Sequence, residues 1–166
     1  MREPLKDKER LVHIVEAIDN VFRYTEGKSF EDMEKDDMMC YAVVYNILSV
    51  GEAAYHLSKM FRTKHPDTDW DTIIKMRNVL AHDYYKLKIQ TVWEVVQHDL
   101  LPLKEQVNRY LTETDWDEWS KNEVVVIESV VHKSLIQTAT RMKQKGYSDK
   151  EISSITGISS EEISNL

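Results

Sequence analysis

Apolar residues recur early in the chain at three- and four-residue spacing: Leu11, Ile14, Val15, Ile18, Val21 and Phe22. Charged residues fill the gaps, so the pattern predicts an amphipathic helix from Arg2 to about Tyr24. Gly27 is a natural stop, and Ser29 with Asp32 three residues on can open the next helix as a capping box. A second long helix is expected from about Asp36 to Phe61. Its first half (Met38, Met39, Tyr41, Ala42, Val44, Tyr45) is apolar nearly all round, which predicts the central, most buried element. Gly51 costs that helix ~1 kcal/mol of propensity. The expected reason to keep it is a close approach of another helix rather than a break.

The turn His65-Pro66-Asp67-Thr68 leads to Asp69, the expected cap of a third helix that starts at Trp70 and runs through Ile73, Ile74, Met76, Val79 and Leu80. A fourth segment begins near Ile89 and extends to Tyr110, with Pro102 expected to kink or restart it. Four helices of this length make a bundle of roughly 110 residues. The acidic stretch from Thr112 to Trp119 then marks a boundary, dividing the chain into 1–112 and 113–166. Beyond it the pattern predicts a helix of about 25 residues ending at Gly146. Two short helices follow, each opened by a capping-box pair (Ser148 with Glu151, Ser159 with Glu162), with Gly157 as a stop between them. The fold class expected is all-α: an antiparallel four- or five-helix bundle with a short helical C-terminal extension.

Composition narrows the function. Only 4 Gly and 3 Pro among 166 residues leave too few turns for a sandwich or barrel. The single cysteine, Cys40, cannot form an internal disulfide or a Cys-based metal site. No His, Asp, Glu or Cys spacing points to a metal, so none is expected. The charged N-terminus lacks a signal-peptide core, and the longest aliphatic run, Val124 to Ile127, is far short of the ~20 residues of a bilayer span. A cytoplasmic protein without membrane contact is the expectation. The net charge of −7 argues against a general polyanion binder, although screening leaves room for a local site. Arg62, Lys64, Lys75, Lys86 and Lys88 could form such a rim around the third helix.

That helix ends in Arg77-Asn78-Val79-Leu80-Ala81-His82-Asp83-Tyr84. From the 7 Arg, 6 His and 8 Tyr present, an Arg–four residues–His–one residue–Tyr triple is expected about 0.01 times by chance (7 × 6 × 8 divided by 166 squared). In these residues the chain resembles the HepT-like toxin family of the HEPN superfamily, whose signature is Arg, four to six residues, His, any residue, Tyr. Flanking segments agree: Val50-Gly51-Glu52-Ala53-Ala54 and His65-Pro66 upstream, Val92-Trp93 and Asp99 to Leu103 downstream. The resemblance covers about residues 8–112. It implies an endoribonuclease toxin of a two-gene (type II) toxin–antitoxin pair, acting as a homodimer on RNA.

The residue types suit that chemistry. A histidine can move the proton of a ribose 2′-hydroxyl or of the leaving oxygen, and an arginine offers a planar fork of donors to phosphate. Arg77 and His82 lie ~140° apart on an ideal helix, so one chain aims them poorly at a common phosphate. A dimer in which both motifs face a shared cleft repairs this. The resemblance further implies that Tyr84 is where a partner nucleotidyltransferase antitoxin attaches AMP. Asn78 and Asp83 are candidate helpers, and Glu52 is expected to be either partly buried and paired, to Arg77 or another base, or exposed at the dimer interface, in a structural or orienting role. The competing reading is a non-catalytic helical subunit that presents Tyr84 or a substrate to a nucleotidyltransferase. The C-terminal segment resembles a helix-turn-helix tail, but its last helix carries no Lys or Arg, so specific DNA binding is not expected.

Overall fold

The structure, a computed structural model, describes residues 6–82 and 88–166, with the side chains of residues 82 and 122–127 outside the description. All regular structure among the described residues is α-helical. The chain divides into two compact units, the first ending at Thr114 and the second spanning Asp115–Leu166.

In the first unit, α1 (Asp7–Thr25), α3 (Asp37–Tyr55) and α5 (Trp70–His82) form the frame, and α7 (Leu100–Glu113) packs on α1. The apolar stripe of α1 is fully used: Leu11, Ile14, Ile18 and Val21 are all buried. Its helix runs antiparallel to α3. Asp7 near its start reaches Ser58 just past the end of α3, while Asn20 near its finish donates to Asn46 in the middle of α3 at 3.2 Å. The short α2 (Phe30–Lys35) opens with the expected Ser29–Asp32 capping box, and Gly27 takes the positive φ of 65° that lets the chain turn before it.

The second long helix departs from expectation in two ways. It stops at Tyr55 instead of continuing to Phe61, and a separate helix α4 (Lys59–Lys64) follows. Ser58 is the cause: its hydroxyl accepts from the Phe61 N–H as an N-cap. Its own N–H and hydroxyl donate to the Asp7 carboxylate at 2.7 and 2.6 Å. A buried carboxylate satisfied by a backbone and a hydroxyl donor makes the break more stable than a continued helix. Second, α3 is central but not buried all round. Met39, Val43, Ile47 and Val50 face the core, whereas Met38, Tyr41 and Tyr45 are 82%, 69% and 67% exposed.

Asp69 caps α5 by accepting from Thr72 N–H at 3.0 Å, as its position suggested. The fourth segment restarts rather than bends: α6 (Ile89–His98) ends at Asp99, and α7 begins with Pro102 in its first turn, where a missing N–H costs nothing. In the second unit, α8 (Trp116–Gln144), α9 (Asp149–Thr156) and α10 (Ser160–Ser164) enclose a small core of Ala139, Ile152, Ile158 and Ile163. Ser148 and Glu151 complete a capping box and Gly157 closes α9 at φ 74°, while Ser159 caps α10 through the Glu162 N–H. Lys143 donates to the carbonyls of Ile163 and Ser164 at the end of α10.

An aromatic cluster joins α4, α5 and α7. The His65 ring lies 4.4 Å from Phe61 and 4.2 Å from Tyr110, and Trp70 Nε1 donates to the His65 carbonyl at 2.9 Å. His65 Nε2 is buried without a partner among the described residues. Burial, helped by the Lys64 charge, pushes the His65 pKa below its ordinary 6.5, while Asp67 and Glu113 oppose the shift. The neutral ring is therefore the native form. Its contribution to stability is complete above pH 6.5 and is lost as pH falls below it, because the unfolded chain then binds the proton more readily. Thermal unfolding followed between pH 7.5 and pH 5.5 should show the melting temperature falling on acidification. His65→Phe, which keeps the ring stack and removes the titration, should shrink that fall; an unchanged fall would locate the acid sensitivity elsewhere.

Candidate active site

The middle of α5 meets the end of α3 at Gly51. A Cβ built on Gly51 would lie 2.3 Å from Arg77 Cβ and 3.2 Å from Arg77 Cα. No larger residue fits, so the glycine expected to mark a close helix approach does so, and the residue it admits is the motif arginine. The next residue on α3, Glu52, then faces the guanidinium. Arg77 Nε donates to Glu52 Oε1 at 2.6 Å and Nη2 reaches the same oxygen at 2.5 Å. Nη1 donates to the side-chain oxygen of Asn78 at 2.8 Å. These contacts engage three of the five guanidinium N–H groups, leaving two without a partner among the described residues.

Two residues that the sequence reading passed over complete the cluster. Tyr55, the last residue of α3, has its ring centroid 5.3 Å from Arg77 Cζ, a cation–π distance. His56 sits with Nε2 3.8 Å from the other carboxylate oxygen of Glu52, and its ring meets Tyr55 edge-on at 5.2 Å. The signal was present in the spacing: Glu52, Tyr55 and His56 are i, i+3 and i+4 on one helix and must share a face. The arginine side chain is 22% exposed against 39% for Glu52 and 50% for His56, so among these three it is the most covered by its neighbours.

Of the other expected site residues, Asn78 is exposed beside Arg77, as its hydrogen bond requires. His82 closes α5 five residues beyond Arg77, with its side chain outside the described residues. Asp83, Tyr84 and the basic Lys86 also lie outside the described residues. Arg62 and Lys64 belong to α4, Lys75 to α5 and Lys88 to the cap of α6. A cleft of about 430 Å³ between α3, α5 and α7 is lined by Ile73 and Met76 of the motif helix; of the described residues in that helix, Arg77 and Asn78 do not line it. Among the described residues, no group of three or more His, Cys, Asp or Glu is arranged to hold a metal ion, and no helix is long and apolar enough to cross a membrane.

The described residues of the first unit form an all-α bundle with an oriented arginine at its candidate site. The family model described as "Ribonuclease HepT-like" matches residues 14–110, more than half of the chain, and the chain belongs to that family. It is 34% identical over 101 residues to "Putative RNase TTE0752" of Caldanaerobacter subterraneus, covering 61% of this chain and 90% of that one. It is 31% identical over 97 residues to "Probable ribonuclease HepT" of Thermococcus cleftensis, covering 58% and 88%. A longer protein of Methanocaldococcus jannaschii, named "Gamma-glutamylcyclotransferase and putative RNase MJ0434", is 30% identical over 123 residues, 74% of this chain and 55% of that one. No solved structure matches the chain.

The Gly51 contact can be tested directly. Alanine would gain ~1 kcal/mol of helix propensity, but forcing a methyl into an occupied core position costs typically ~1–3 kcal/mol. Here the obstacle is the root of another side chain, which cannot swing away, so overpacking wins. Gly51→Ala should lower the melting temperature by roughly 2–6 °C in a calorimetric scan. A variant as stable as the parent would show that the two helices separate freely.

Proposed function

We propose that the chain is a metal-independent endoribonuclease, the toxin of a toxin–antitoxin pair. Arg77 binds the scissile phosphate and stabilises the charge that develops on it, and His82 acts as general acid or base at the ribose 2′-hydroxyl or the leaving oxygen. Glu52 and Asn78 hold the guanidinium at a fixed angle, so that little orientation entropy is lost when phosphate arrives. Asp83, next to the histidine, is a helper in orienting it or the substrate. The observation that carries the reading is the guanidinium of Arg77, on the helix of the Arg–His motif, clamped by Glu52 of α3 and with two N–H groups that have no partner among the described residues. Family membership supports RNA as the substrate.

The active form is a homodimer. Met38, Tyr41 and Tyr45 form an exposed apolar stripe on α3, in line with Glu52 near the other end of the same helix. Large exposed aromatics concentrated on one stripe are costly in water, and a second copy of the chain placed there brings two motif helices to one cleft. Tyr84, two residues after the histidine, is the AMP acceptor for a nucleotidyltransferase antitoxin supplied by another chain. An adduct there adds a phosphate that competes for Arg77. The protein acts in the cytoplasm, without a cofactor, a membrane or specific DNA.

Purified protein incubated with RNA in the presence of a chelator should cleave it. Arg77→Ala and His82→Ala should each lower the rate by about 10²–10⁴-fold while the fold, checked by circular dichroism, is kept. Absence of cleavage by clean wild-type protein favours instead a non-catalytic subunit that presents a substrate to a nucleotidyltransferase. In mass spectra of protein produced together with such an enzyme, AMP is expected on the peptide holding Tyr84, and modification confined to other peptides would exclude that role.

A further inference from the structure

Tyr55 is the one aromatic ring that touches the motif arginine among the described contacts, and it is only half-buried: its exposure is 51%. It ends α3, directly beyond the Gly51–Glu52 pair that fixes the guanidinium. Arg77 Cζ lies 5.3 Å from the ring centre, and the His56 ring stands at 78° to it with centroids 5.2 Å apart. Those two neighbours restrict the ring without covering it. A tyrosine needed only to fill space would be closed off; one needed only for its hydroxyl would not be braced by two neighbours against its ring.

The geometry points to Tyr55 as a stacking platform for the base next to the scissile phosphate, which makes unpaired RNA the preferred substrate. The inference rests on the proposed ribonuclease function and adds the form of RNA that the site accepts. A phosphate carried on the Arg77 N–H groups that have no partner among the described residues would lie close to the ring, because Arg77 Cζ is 5.3 Å from its centre. A base swung out of a single strand has a free face to lay on an aromatic side chain, whereas a base inside a duplex has both faces covered by its neighbours. The aromatic face tolerates any base, so this contact selects strandedness rather than sequence. His56, in a T-shaped contact with Tyr55 and 3.8 Å from Glu52, is the positioning residue of the platform.

Binding can be measured apart from cleavage, using fluorescence anisotropy with a labelled 2′-O-methyl oligonucleotide, either single-stranded or annealed to its complement. Tyr55→Ala should weaken binding of the single strand about tenfold, with Tyr55→Phe and Tyr55→Trp within about twofold of wild type. Duplex binding and the dependence of single-strand affinity on salt should stay as in wild type, because no phosphate contact is removed. If Tyr55 merely supports Arg77, the alanine variant loses single strand and duplex alike and its salt dependence flattens, which overturns the inference. So does an alanine variant that binds like the parent, or one whose dissociation into monomers on a sizing column accounts for the whole loss. A wild type that binds the single strand through Tyr55 yet cleaves no natural RNA would defeat the ribonuclease reading and leave the platform standing.

Discussion

The approach of α5 to α3 at Gly51 is the contact on which the candidate site depends. With no side chain at that position, the backbone of Arg77 comes close to α3, and its guanidinium lies across the Glu52 carboxylate. A charge pair formed at the edge of a core is worth little as a source of stability, since both partners give up water to meet. Its value lies in direction. A free arginine explores many rotamers, and one fixed through Nε and Nη2 presents the remaining edge of its fork at a set angle. The packing defect tolerated in α3 and the orientation of the motif residue are one feature seen from two helices.

The rest of the bundle serves to hold those two helices in register. The stripe of α1 covers the inner face of α3, and its Asp7 and Asn20 pin both ends of that pairing. The aromatic cluster around His65 ties the start of α5 to α7 through Trp70, Tyr110 and the buried Thr68, whose hydroxyl pairs with Gln106 and Tyr110. Rigidity is thereby concentrated at the start of the motif helix, and the arginine sits two turns in, where end fraying no longer reaches it.

Much of this was legible in the residues alone. The periodic stripes located the long helices, the serine and aspartate caps placed their starts, and the glycine inside an apolar helix announced a close neighbour. Two things were not. Periodicity reports how many faces of a helix are apolar but not what covers them, so the open stripe of Met38, Tyr41 and Tyr45 read as burial. A local pattern is also blind to partners distant along the chain: nothing near Ser58 in sequence says that Asp7, fifty-one residues earlier, will receive its N–H and end the helix. At the site, Glu52 was suspected because a carboxylate in an apolar helix needs a partner. Tyr55 and His56 belong to no motif, and their place beside Arg77 follows only from the packing of α3 against α5.

The Asp7–Ser58 linkage also bears on how the protein can be shortened. The first turn of α1 looks dispensable, being polar and remote in sequence from the motif. Trimming through Asp7 would strip the carboxylate from the N-terminal cap of α4 and leave a backbone N–H and a hydroxyl to find water in a partly closed joint. That joint immediately follows Tyr55 and His56. A minimal version of the bundle therefore has to begin upstream of Asp7, and a fusion partner attached there needs a spacer that lets this carboxylate keep its seat.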